Sequence, residues 1–168
     1  MSICLPRRRF EKPELKPSHE HSSEIIAMDV SKLPFNQLIG LELAKPDSGF
    51  LVSLPENPQY TNHLGTVHGS ALLAVAEAGS GAFLSQQFSG IAGIVPVVRK
   101  LEAKFRKPAL GQVSARCDVP VAGTERWSTE LTTRGRVVAA IPVEVVDGAG
   151  VVVMSAVVEW FIVQGATN

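Results

Sequence analysis

Glu77 is the only Asp, Glu, Lys or Arg between Glu56 and Arg99. It lies in the run His68-Gly69-Ser70-Ala71-Leu72-Leu73-Ala74-Val75-Ala76-Glu77-Ala78-Gly79-Ser80-Gly81-Ala82-Phe83-Leu84. This run reads as a helix over about His68 to Gln87, apolar around its whole circumference and therefore enclosed by protein. Taking a carboxylate out of water costs several kcal/mol unless partners are supplied, and this helix carries no basic residue to supply one. Carboxylates so placed are more often tuned acids or bases than ornaments. The chemistry open to Glu77 is general-base or nucleophilic attack.

The helix start adds a second group. Asn62-His63-Leu64-Gly65-Thr66-Val67-His68-Gly69-Ser70 brings polar residues to the N-terminus of the apolar helix. The first turn of a helix leaves backbone N–H groups unpaired and carries about half a positive charge. A carbonyl oxygen placed there is polarised, and an oxyanion is stabilised. Gly69 lets a ligand approach the backbone, and Asn62 can donate from its amide. Glu77 follows Gly69 by eight residues, about 12 Å along a helix axis. One substrate atom cannot touch both within a single chain. Two antiparallel copies of the helix would bring the start of one beside the middle of the other.

Plainer roles compete for the same residues. His68 suits a helix start with a satisfied imidazole, His63 a solvated loop and Asn62 a turn. Gly79 and Gly81 suit close packing against a neighbouring helix. His63 and His68 have no third ligand at metal-site spacing, so no metal is expected. The chain has no G-x-S-x-G elbow for a serine nucleophile. Arg99, Lys100, Lys104, Arg106 and Lys107 fall on and after one strand. Alternation puts Lys100, Lys104 and Arg106 on one face, as a solvated surface or a landing site for a nucleotide phosphate.

The elements that must position these residues follow from period and punctuation. Residues 1–25 are rich in Pro and mixed charge, and are expected to form a flexible arm ahead of one domain over residues 26–168. A short helix over Ser31–Leu38, capped by Ser31, would turn Leu33, Phe35 and Leu38 inward. Leu41–Ala44 and Gly49–Leu54 read as strands joined by a turn at Lys45–Gly49. After the long helix the period changes to 2, giving strands over Val95–Arg106, Gly111–Val119, Arg136–Val146 and Gly150–Val163. Thr124 can cap a helix ending at Gly135, with Trp127 and Leu131 one turn apart. Pro142 suggests an edge position or a bulge. Strands that do not alternate with helices argue for an α+β fold: an antiparallel sheet of about six strands wrapped round the apolar helix.

The chain has 168 residues, 45% hydrophobic and 19% charged, with a formal net charge of zero. One domain of this size buries a sizeable core without staples. The absence of a basic excess argues against nucleic-acid binding and fits an oligomer that hides surface. Cys4 and Cys117 make no disulfide framework, so a reduced, cytoplasmic setting is expected. No apolar stretch reaches membrane-spanning length uninterrupted, and the start of the chain does not read as a secretory signal.

The segment Asn62-x-x-Gly65-Thr66-Val67-His68-Gly69, followed by an apolar helix carrying Glu77, resembles the hotdog-fold acyl-CoA thioesterases, especially those of phenylacetate degradation. It is also similar to a related hotdog family of uncharacterised thioesterase-like domains. Lys104-Phe105-Arg106-Lys107-Pro108-Ala109 matches the strand end that follows the helix in these families, and the strand order agrees from about Ser31 to Val163. The resemblance implies a homodimer, or a dimer of dimers, with antiparallel helices and active sites between subunits. The substrate would be an acyl-CoA, with no cofactor beyond its own coenzyme A. Gly69 N–H would polarise the thioester carbonyl, Asn62 and His68 would position the acyl group or loop, and Glu77 of the partner subunit would act as base or nucleophile. Gly65, Thr66, Ser80, Val98, Arg99 and Lys100 would contact substrate. Two positions depart from the pattern. The Ser or Thr that holds water in these families aligns with Gly81 or Val98, leaving Ser80 as a substitute, and Ser70 replaces the second Gly of His-Gly-Gly. Two alternatives share the fold: a 3-hydroxyacyl-thioester dehydratase using His63 and Glu77, fourteen residues apart but without the usual Pro-Gly pair, and a non-catalytic acyl-CoA binding module.

Overall fold

Strict alternation in the C-terminal third of the chain produces the centre of the structure. The computed structural model describes residues 28–165; the expected N-terminal arm lies outside them. Six strands form one antiparallel sheet: β1 (Glu42–Leu43), β2 (Val52–Leu54), β3 (Ile94–Phe105), β4 (Val113–Cys117), β5 (Arg136–Asp147) and β6 (Val152–Gln164), in the order β1-β2-β4-β5-β6-β3. The pairs Val137–Ile162, Ala139–Trp160, Ile141–Val158, Val143–Ala156 and Val145–Met154 are buried on both strands and make the inner face of the β5–β6 hairpin. Its turn is closed by Asp147, whose carboxylate accepts from Ala149 N and Val151 N at 3.0 Å each. β3 stands at the margin of the sheet with β6 as its one neighbour, and its register slips between Val98 and Lys100.

Helix α2 (Gly69–Gln87) crosses the inner face and touches β2 through β6. Leu72, Val75, Ala76, Ala82 and Leu84 are buried there. Small residues let it come close: a Cβ on Gly79 would stand 2.6 Å from the Ala115 Cβ of β4. The close packing expected of Gly79 is therefore against the sheet, not against a second helix. The expectation that α2 is enclosed on every side also fails for the single chain. Ser70 and Glu77 are exposed and Leu73 and Ala74 half-buried, a stripe the sheet does not reach.

Three further expectations are corrected. The first short helix is a 3₁₀ turn, Val30–Lys32, followed by α1 (Pro34–Leu38). Asp29, not Ser31, caps the turn, accepting from Ser31 N at 2.9 Å. Leu33, Phe35 and Leu38 point outward, while Val30 and Asn36 turn in and bond to each other, Asn36 Nδ2 donating to Val30 O at 2.9 Å. Helix α3 (Val121–Arg134) begins three residues before Thr124, whose hydroxyl donates back to Val121 O; it ends at Gly135 (φ 66°), and Trp127 and Leu131 join the common core. For Pro142 the correction is one of extent: β5 is a central strand, but β4 stops at Cys117 opposite Val143, so at Pro142 β5 has only β6 beside it and the expected edge position is a local one. Among the described residues no helix is long and apolar enough to cross a membrane.

Candidate active site

The loop ahead of α2 is organised by one side chain. Asn62 Oδ1 accepts from Leu64 N (2.9 Å) and Thr66 N (3.3 Å), and its Nδ2 donates to Thr66 Oγ1 (3.0 Å). Its backbone N–H donates to Thr66 O, and Gly65 N–H donates back to Asn62 O. Gly65 supplies the left-handed residue this tight turn needs (φ 73°). Asn62, Gly65 and Thr66 thus hold one another, the turn role that competed with ligand contact for Asn62. The loop is anchored to the body by Val67 N to Ala109 O (2.9 Å) and His68 N to Tyr60 O (2.6 Å).

His68 is the N-cap of α2. Its Nδ1 accepts from Ser70 N at 3.1 Å, and its carbonyl accepts from Ala71 N and Leu72 N. Gly69 N–H, the first of the helix, has no acceptor among the described residues. The Cα of Gly69 is covered by Phe105 at the end of β3; a Cβ there would stand 3.3 Å from the ring. Spacing gave no signal for this contact, because Phe105 lies 36 residues beyond Gly69 and reaches the site through sheet pairing. His63 is exposed in the loop.

Glu77 projects from the exposed stripe of α2, on the same side as Ser70 and Ala74. Ser80 does not share that side. It is fully buried, donates to Glu77 O (2.7 Å) and accepts from Trp160 Nε1 (2.9 Å). Its hydroxyl is committed to the core and is unavailable to substrate or water, so its expected role is withdrawn. Val98 pairs with Trp160 and is partly buried against the core. Arg99 and Lys100 are each matched by an acid: Arg99 Nε lies 3.1 Å from Glu159 and Lys100 Nζ 2.8 Å from Glu102. The hydrogen bond that Lys100 donates to Glu102 raises the Lys100 pKa. Arg106 donates to Ser155 Oγ (2.7 Å), and neither Lys104 nor Lys107 has an acidic partner among the described residues. Lys104 pairs with Ser155 and Arg106 donates to it, so both stand on the outer face of the sheet, opposite the face on which Phe105 meets Gly69.

Solved structures share this architecture. A Pseudomonas aeruginosa protein of unknown function, PA5026, described as a probable thioesterase, is 23% identical, with a TM-score of 0.69 over 81% of this chain and 91% of its own. OLEI01261 of Chlorobaculum tepidum, also of unknown function, is 20% identical with a TM-score of 0.71, over 80% and 89%. BH2602 of Bacillus halodurans, crystallised with CoA, is 21% identical with a TM-score of 0.53, over 67% and 66%. A search of curated proteins gives no match. The family model of a domain of unknown function, DUF4442, matches residues 24–162. With six antiparallel strands curved about one central helix and thioesterase-superfamily proteins as its structural neighbours, the chain belongs to the DUF4442 family and has the hotdog fold.

Proposed function

We propose that the protein hydrolyses an acyl-CoA thioester in a homodimer. The observation that carries this reading is the unpaired Gly69 N–H at the start of a helix whose uncovered stripe bears Glu77. These groups stand about 12 Å apart along one helix, too far to share a carbonyl. A two-fold pairing of the stripes sets Glu77 beside Gly69 of the partner subunit and covers the half-buried Leu73. In that arrangement the thioester oxygen accepts from the Gly69 N–H and feels the helix dipole. Glu77 takes a proton from water as the water oxygen bonds to the carbonyl carbon, and the oxyanion is held at the helix start. When the tetrahedral intermediate collapses, the C–S bond breaks and CoA leaves as the thiol, taking the proton from Glu77. The loop built on Asn62 fixes the cradle before substrate arrives. The CoA held by the Bacillus halodurans relative supports that carrier.

Subunit mixing tests the reading. Gly69→Pro deletes the N–H with a backbone the fold accepts, since Pro is favoured at the first helical position and His68 already has the extended backbone (φ −65°, ψ 140°) that a following Pro requires; because any Cβ here crowds Phe105, it is made with Phe105→Leu, and Phe105→Leu alone is the reference. Gly69→Pro and Glu77→Gln homodimers should each lose hydrolysis by about 100-fold or more. Equal mixing and refolding should restore about a quarter of wild-type turnover, since half the dimers would carry one intact site of two. No recovery on mixing, or a Glu77→Gln chain that still hydrolyses thioesters, overturns the proposal.

One observation favours a second reading, a non-catalytic acyl-CoA binding module. Ser80 is committed to Trp160, so α2 keeps no hydroxyl on the next turn to hold a water for Glu77. Saturable binding of acyl-CoA with no release of thiol would select it. Hydration of an enoyl-CoA that is lost in His63→Ala would select the dehydratase.

A further inference from the structure

A cleft of about 220 Å³ opens beside the first two turns of α2. Phe35, Ile39 and Leu54 form one wall, and Ala71 and Ala74 the other. It exists because the helix presents small side chains there, while α1 holds Phe35 over it as a lip, 60% exposed. Two polar groups in the lining are already engaged: the Tyr60 hydroxyl donates to Ile39 O, and His68 Nδ1 accepts from Ser70 N. What remains is mainly apolar wall. The cleft lies beside the proposed reaction site along the helix, because its lining residues Ser70 and Ala74 fall with Glu77 within an arc of about 60°, Glu77 less than one turn beyond Ala74.

From this placement we infer that the cleft receives the acyl tail and sets its length. The inference rests on the reading of Glu77 as the group that meets the carbonyl. A tail leaving a carbonyl held beside Glu77 and running toward the helix start meets Ala74 and then Ala71. At about 30 Å³ per non-hydrogen atom, taken from the volume of a water molecule, the space accepts about seven atoms. With the carbonyl carbon outside, that corresponds to a straight chain of about eight carbons. Shorter chains leave apolar wall unfilled, and longer ones must displace Phe35 or stay in water.

Stable thioethers, S-alkyl-CoA with tails of two to sixteen carbons, test the cleft without requiring turnover. Affinity for the full-length protein should rise about two- to fourfold per methylene up to about eight carbons and then level off. Ala74→Phe should reduce affinity for the octyl compound at least tenfold more than for the ethyl compound. Phe35→Ala, which removes a surface lip and does not challenge folding, should move the plateau to longer tails. A flat length series, or a plateau that neither variant moves, overturns the cleft as the acyl site. Failure of the hydrolytic reading looks different: the length series persists while no thioester is cleaved.

Discussion

Gly69 and Phe105 make a tight pair whose strain can be tested directly. Adding one methyl at Gly69 brings a Cβ to 3.3 Å from two ring atoms, closer than ordinary contact. Gly69→Ala should therefore push the ring off the helix start and lower thioester turnover while leaving the N–H in place; adding Phe105→Leu should restore part of the loss, measured as kcat/KM. Cys117 offers a prediction about stability. Burial pushes its thiol up to about 12, from an ordinary value of 9.0. Between those values the folded chain keeps the proton and the unfolded chain releases it. The contribution of Cys117 therefore falls as pH rises from about 9 toward 12, by about 1.4 kcal/mol per pH unit. Urea unfolding of the parent and Cys117→Ala chains at pH 8 and pH 10 should show the parent losing more stability across that interval. At this scale the sequence was legible where a residue is defined by what surrounds it along the chain. Glu77 and Gly69 stand out in that way. The direction of Ser80 and the ion pairs of Arg99 and Lys100 were not legible. They depend on Trp160, on Glu159 and on the register slip after Val98, all supplied by strands distant in sequence.

Helix α2 and its contact with β4 set the central distance of the fold. Gly79 and Gly81 look alike in sequence but face different neighbours. Gly79→Ala drives a methyl to 2.6 Å from Ala115 Cβ. Overpacking of about 1–3 kcal/mol then outweighs the roughly 1 kcal/mol alanine gains in helix propensity. At Gly81 the nearest atoms, on Val30 and Trp160, are 3.5 and 3.7 Å away, an ordinary contact. Gly81→Ala should therefore raise the melting temperature and Gly79→Ala lower it, with Gly79→Ala/Ala115→Gly recovering most of the loss. The helix itself was plain from its length and its unbroken apolar run, and β3, β5 and β6 from their alternation and turns. Helix α1 was misjudged because a segment of five residues has too little periodicity to say which side faces in. The burial expected for Glu77 failed for a related reason: a helix apolar all round must be covered, but sequence does not say whether its own sheet or another copy covers it.

At the scale of the whole molecule, that uncovered stripe is what the proposed dimer would close. The protein should sediment as a dimer, and Leu73→Lys, at the middle of the stripe, should shift it toward monomer and abolish turnover without unfolding the chain, checked by sedimentation and circular dichroism. A monomeric wild-type protein with full activity would refute the shared site. The outer margin of β3 has a separate consequence. Among the described residues its 12 residues have a neighbour on one side only, an edge that could recruit a stray strand from another polypeptide. Pro96, the slip after Val98 and the charges of Arg99, Lys100, Glu102 and Lys104 all discourage such adhesion. Smoothing this border with Pro96→Val and Lys100→Val should turn a well-behaved solution into one that seeds fibrils on warming.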